Sequence, residues 1–313
     1  MTIKGIASVP SNEPPRFTYE KMIMRPGNPI TARYIPFKEL GLKLRGFLSA
    51  LRSEERDRMP RALWTAGPSG AGKTKSLIIS CLEAGYAIAI IPAGTFSGQH
   101  EGDSVRALDD VLAELEQWAR HNKLAIVLMI NDIDLSVANV GQNVTATINS
   151  QMLVNHLMEL CDTPHIHVNP DGSPIPFVFT VNDATNMRES LTRSGSAEWF
   201  EFIPTTEDKT NVAWRVFDPQ TTPARDLLAQ LVRKYAASQS VAFWEDLAKR
   251  IRERTGQAIL QKGMPSQAQS NQIFSARVPL DNPQLVWAAA REIRQRRVKN
   301  YLAKRFTLPW GRS

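Results

Sequence analysis

The stretch ALWTAGPSGAGKTKSLIISCLEAG, residues 62–85, decides the fold. Five residues suited to a buried strand run into GPSGAGKT (67–74), which fits the pattern G-x-x-x-x-G-K-[ST], and a helical pattern follows at once. Glycines let successive backbone N–H groups turn inward on phosphate oxygens, the lysine reaches the outer phosphates, and the hydroxyl after it ligates Mg²⁺. The helix behind the loop points the positive end of its dipole at the same phosphates. Gly67, Pro68, Ser69, Gly70, Ala71, Gly72, Lys73 and Thr74 are therefore the expected nucleotide-binding residues, with ATP and Mg²⁺ as ligands. A glycine turn that matched by accident would not be expected to have both the strand and the helix.

On either side of this unit, YAIAIIPAG, LAIVLMIND and PFVFTVND read as continuously apolar runs, separated by amphipathic stretches such as SVRALDDVLAELEQWARHN. Strands of that kind alternating with helices predict a parallel sheet covered on both faces. Past FEFIPTTED the strand signals stop and the pattern turns helical. The predicted fold class is an α/β P-loop NTPase domain with a C-terminal all-helical lid. Its divisions are an extended arm over 1–38, the nucleotide-binding domain over 39–206, the lid over 207–306 and a tail over 307–313.

Composition agrees with a globular chain: 42% of the 313 residues are hydrophobic and 22% charged. No apolar run reaches the roughly 20 residues of a membrane-spanning helix, and the first residues lack a signal peptide's apolar block. These features predict a cytoplasmic protein with no membrane partner. Cys81 and Cys161 stand far apart and read as buried thiols in a reducing compartment. The net charge is +7, and residues 291–305 (REIRQRRVKNYLAKR) hold seven Lys or Arg against one Glu. His165 and His167 lack a third ligand for a zinc site and read as polar loop residues.

A phosphate loop needs an acidic strand end as its partner, to hold Mg²⁺ and to orient the attacking water. LAIVLMINDID supplies one, with Asp132 59 residues after Lys73. Where two consecutive acids are usual, the pair here is Asn131 and Asp132, with Asp134 beyond. Asp134 can equally cap a helix, and Asn131 leaves open a site that binds without hydrolysing. FVFTVNDATN places Asn182 at another strand tip, where it can hold the attacking water or simply form a turn. In ESLTRSGSAEWF, Arg193 is either a solvated charge or, in a ring of subunits, an arginine finger on the neighbour's γ-phosphate.

With these pieces in this order the chain resembles the AAA+ ATPases, and within them the Rubisco activases. Beyond INDID, the stretches PAGTFSGQHEG, TINSQMLVNHLMELCDTP, PIPFVFTVND, FEFIPTTEDK and SQSVAFWEDL carry the resemblance, as does the helix after VPLDNPQLV, over about residues 60–306. The resemblance implies that Asn131 belongs to an active family. Lys73 and Thr74 then bind nucleotide and Mg²⁺, Asp132 orients water and metal, Asn182 is the first sensor and Arg193 the finger. It also implies a homo-oligomeric ring, a hexamer, that acts as a chaperone-like remodeller of a protein client, with Rubisco as the family's client.

The lid pattern Arg-x-Arg has Ala248 at its first position and Arg250 at its second, so Arg250 is the candidate lid sensor. Ser196 replaces a second arginine of the finger turn, and His100 in GQHEG stands where peptide-threading relatives place a pore aromatic. Two other classes of function compete. A nucleic-acid-associated ATPase, of loader or mobile-element type, would use the basic helix near 291–305. Against that, Leu285, Val286, Ile293, Val298 and Leu302 predict a helix with one buried stripe and a solvated face. A nucleotide-binding scaffold without turnover would rest on Asn131 and Ser196.

Overall fold

The computed structural model describes residues 17–30, 34, 36–96, 102–133, 148–182, 197–261, 263–274 and 277–301. The strands are β1 (Ile23–Met24), β2 (Ala62–Ala66), β3 (Ala87–Pro92), β4 (Ile126–Asn131), β5 (Phe177–Val181) and β6 (Ala197–Glu201). They form one sheet in the order β1-β3-β4-β5-β2-β6. Every pairing is parallel except that of β1 with β3.

The period of two along each strand divides the core between the sheet's two faces. Trp64, Leu128, Ile130, Phe177 and Phe179 point to one side, while Leu63, Ile88, Val127, Met129 and Val178 point to the other. Helices α1 (Lys38–Ala50) and α2 (Lys73–Glu83) cover the second face through Leu40, Leu44, Leu77 and Ile78. Helices α3 (Asp103–Asn122) and α4 (Ile148–Asp162) cover the first through Leu108, Leu112, Trp118, Val154 and Leu157. Burial raises the thiol pKa of both cysteines, that of Cys161 to about 12.

From Thr206 onward the described chain is helical: α5 (Thr206–Phe217), α6 (Thr222–Tyr235), α7 (Val241–Thr255), α8 (Gln257–Leu260), α9 (Gln267–Phe274) and α10 (Pro283–Tyr301). A capping box starts α5, with the Thr205 hydroxyl accepting from the Asp208 N–H and the Asp208 carboxylate accepting from the Thr205 N–H. These helices close around their own core of Phe217, Leu228, Trp244, Leu247, Val286 and Ala290. Among the described residues, no helix is long and apolar enough to cross a membrane.

The proline-rich beginning contributes more than an extended arm. Residues 23–24 pair antiparallel with β3, the Tyr19 N–H donates to Glu114 Oε1 at 2.6 Å, and Arg25 lies 5.0 Å over the Trp118 ring. Two residues are too short a run for any periodicity to register in the sequence. Residues 1–16 lie outside the described residues.

At the end of the sheet away from the phosphate loop, the fully buried Arg61 pins the connection from α4 to β5. Its guanidinium donates to the carbonyls of Leu160 (2.9 Å), His167 (3.0 Å) and Ile175 (2.9 Å) and lies 4.7 Å over the Phe177 ring. Burial lowers its pKa to about 10, which leaves it charged at neutral pH. Arg61→Leu strands those carbonyls without donors, and a loss of about 3 kcal/mol in unfolding free energy is expected in urea titrations. Nucleotide affinity, measured at the other end of the sheet, should remain as in the wild type.

Candidate nucleotide site

Three parallel strands end side by side at the phosphate loop, because β5 is hydrogen-bonded to β2 on one side and to β4 on the other. Past the strands the ladder continues for one more bond, from the Gly67 N–H to the Val181 carbonyl at 3.1 Å. Gly67 is required here by close approach: a Cβ on it would stand 2.2 Å from the Phe202 carbonyl oxygen. Gly72 has φ +91°, and a Cβ there would meet the Phe37 ring at 2.8 Å. Helix α2 starts immediately after, so its first-turn N–H groups and the positive end of its dipole face the loop.

Lys73 is buried, and its ammonium donates to the carbonyls of Gly67 (2.6 Å) and Pro68 (3.2 Å) and to Asn182 Oδ1 (3.0 Å). The Asn182 amide passes the contact on, its Nδ2 donating to Asp132 Oδ1 at 2.8 Å. Asn131 Nδ2 donates to the other carboxylate oxygen of Asp132 at 3.1 Å. Asn131 Oδ1 accepts from both Thr74 Oγ1 and Thr180 Oγ1, each at 2.7 Å. Lys73, Asn182, Asp132, Asn131 and Thr74 thus form one continuous polar chain across three strand ends.

Asp132 takes φ +53°, the left-handed region that aspartate tolerates better than most residues, and its N–H donates to Thr180 Oγ1 at 2.9 Å. That kink turns the carboxylate across the loop mouth instead of along the strand. Thr180 was absent from the expected site, although a hydroxyl inside the buried run FVFTV was the signal that could have marked it. Lys75 and Glu245 were also unforeseen. Lys75 Nζ donates to Glu245 of α7 at 2.6 and 2.5 Å, and the Ala242 N–H of the same helix donates to the Gly70 carbonyl at 3.0 Å.

The structure does not place Arg250 in this cluster. It sits eight residues beyond Ala242 on α7, about 12 Å along the helix axis. Its guanidinium is taken by Glu292 (2.7 and 2.9 Å) and Glu253 (3.2 Å), beside an open cavity of about 680 Å³ that Phe274 also lines. Ala248, the other lid position, is buried in the helical core. Arg193, Ser196, Asp134 and His100 lie outside the described residues.

The donor set suits a hard divalent cation that keeps water and phosphate ligands: one hydroxyl, one carboxylate and an amide oxygen, with a glycine cradle adjacent. Thr74 and Asp132 are the residues that would hold it. Among the described residues no group of three or more His, Cys, Asp or Glu forms a site of another kind.

Residues 63–205 match the model of the ATPase family associated with various cellular activities (AAA). The chain is also similar to the ribulose bisphosphate carboxylase/oxygenase activases of Phaseolus vulgaris (chloroplastic, 26% identical) and of a Nostoc species (28% identical), in each case over 200 residues. Those matches take in 62% of this chain and 45% and 48% of the respective relatives. The chain therefore spans about half the length of the curated relatives it matches.

The amide at position 131 has a measurable consequence. Asn131→Asp sets a second carboxylate in the place of a donor 3.1 Å from Asp132 Oδ2. Like charge raises the pKa of one member of the pair in the folded protein. The variant should therefore melt below the wild type at pH 8, and the deficit should shrink as pH falls through that raised pKa. Added Mg²⁺ should shrink it too, which thermal melts with and without the ion will read.

Proposed function

We propose that this chain, whose residues 63–205 match the AAA ATPase model, binds and hydrolyses ATP and uses the cycle to remodel a protein client. The observation that carries this reading is the polar chain from Lys73 through Asn182 and Asp132 to Thr74. The backbone N–H groups of the 67–74 loop cradle the phosphates, and Lys73 exchanges part of its oxygen cage for the outer phosphate oxygens. Bound Mg²⁺ supplies positive charge that offsets the charge on the transferring phosphoryl group.

Asp132 orients the attacking water and accepts its proton, doing alone what two acids usually share. Asn182 is proposed as the sensor of the outer phosphate that holds that water, a role supported by its bonds to both Lys73 and Asp132. Arg193 acts as a finger on a neighbour's nucleotide in a homo-oligomeric ring, for which we propose a hexamer. Arg250 is proposed as the lid arginine, and to reach phosphate it must first leave Glu292 and Glu253. The lid over 207–306 then couples nucleotide state to the neighbouring copy, and Rubisco is the client that the similar activases suggest.

Asp132→Asn should lower the steady-state ATPase rate by about 10²-fold or more while nucleotide affinity is retained, since a positioned base contributes on that order. Specific activity should fall as the protein is diluted, because an inter-subunit finger is lost with the oligomer. Activity that is independent of concentration, with Asp132→Asn at the wild-type rate, would remove the reading.

A second reading is favoured by the charge distribution. Residues 206–306 hold 18 Lys or Arg against 9 Asp or Glu, whereas residues 1–205 hold 19 against 22. On α10, Arg291 and Arg294 are exposed, and Lys234 of α6 lies 4.9 Å over the Trp287 ring. A basic face with an aromatic in it suits a nucleic-acid backbone. ATPase assays with inhibited Rubisco and, separately, with DNA at several salt concentrations divide the two. Salt-sensitive stimulation by DNA alone would select the second reading.

A further inference from the structure

Lys75 stands one residue past the loop threonine, but its side chain reaches away from the loop to two other chain segments. Its ammonium donates to both oxygens of Glu245, at 2.6 and 2.5 Å, and to Tyr34 Oη at 3.1 Å, and it lies 4.2 Å from the Tyr34 ring centroid. Less than a turn earlier on α7, the Ala242 N–H donates to the Gly70 carbonyl at 3.0 Å. There the fit is close, since a Cβ on Gly70 would stand 3.1 Å from Ala242 Cβ and 3.3 Å from Ser240 Oγ. On the far side, the Phe37 N–H donates to Ser76 Oγ at 2.8 Å. One face of α7 therefore meets the phosphate loop through a main-chain bond at Gly70 and meets helix α2 through an ion pair at Lys75.

Both side chains of the pair are partly exposed, at 41% and 33%. Desolvation works against the Lys75 ammonium, and the hydrogen bonds with Glu245 and Tyr34 outweigh it, so its pKa lies above the ordinary lysine value. An isolated ion pair so exposed contributes little to stability. Its place on the helix gives it a wider bearing. The Gly70 carbonyl meets the first turn of α7, where Val241 is buried in one cluster with Ala71, and Glu245 lies three residues on from the bonded Ala242.

We propose that Lys75 and Glu245 are positioning residues of the nucleotide site: their ion pair, braced by Tyr34, sets the docking of α7 on the phosphate loop. Neither touches the reacting atoms. They act through Ala242 and Gly70, so that lid position and loop conformation change together. This rests on the reading of the 67–74 loop as an ATP site.

The test is a double-mutant cycle on the full chain with Lys75→Met, Glu245→Gln, both together, and Lys75→Arg. In the nucleotide-free protein, amide hydrogen exchange over residues 241–245 should accelerate about threefold to fivefold in each single variant, no further in the double, and stay near the wild-type rate in Lys75→Arg. ADP affinity should weaken by similar factors with the same non-additivity, and the KM for ATP should rise while kcat stays within about a factor of two. Unchanged exchange in the single variants, or effects that multiply in the double, overturns the proposal. If the wild type takes up no nucleotide, the ATP-site reading fails, and the exchange rates still decide whether the pair docks the lid.

Discussion

Strand β5 is paired on both edges, with β2 on one side and β4 on the other, and that double pairing places everything that follows. Its register sets Val181 beside Ala66 and Phe179 beside Ile130, so the chain leaves the sheet at Gly67, Asp132 and Asn182 within one small area. A slip of one residue would turn Thr180 to the opposite face and separate Asn131 from its partner hydroxyl. The apolar faces guard against that slip, since Phe177 and Phe179 would have to leave one core while Val178 left the other.

Within this frame the site solves a problem of buried charge. Lys73 is almost without solvent, and two carbonyls and an amide oxygen lie against its ammonium. Asparagine suits positions 131 and 182 because an amide donates at one end and accepts at the other. Each amide therefore relays between a donor and the Asp132 carboxylate. A second acid at 131 could accept from Thr74 and Thr180 but could not donate to Asp132. The asparagine that first looks like a lost catalytic group donates a hydrogen bond to Asp132.

Much of this was legible in the residues. The phosphate loop announces itself because its chemistry needs glycines, a lysine and a hydroxyl at fixed local spacing. The buried strands read as strands because the sheet is covered on both faces and leaves them apolar along their length. Asn131, Asp132 and Asn182 were visible as polar strand ends, and the structure brings them together with Lys73 and Thr74. The two-residue β1 was not legible, because its partner strand supplies what its own pattern lacks. Glu245 was not legible either, since its meaning lies in a lysine 170 residues earlier in the chain. Arg250 shows the reverse case: its motif position marks it, while Glu292 and Glu253 hold it on the lid.

The sequence by itself determined the class of fold and marked the residues of the candidate site, because short-range spacing and periodicity encode both. Only the tertiary structure decided which side chains meet. The parallel register chose Thr180 as the partner of Asn131, and the docking of α7 joined Glu245 to Lys75. Those contacts depend on segments far apart in the chain that meet only after the sheet and the helical core have formed. A local pattern carries no record of such a meeting.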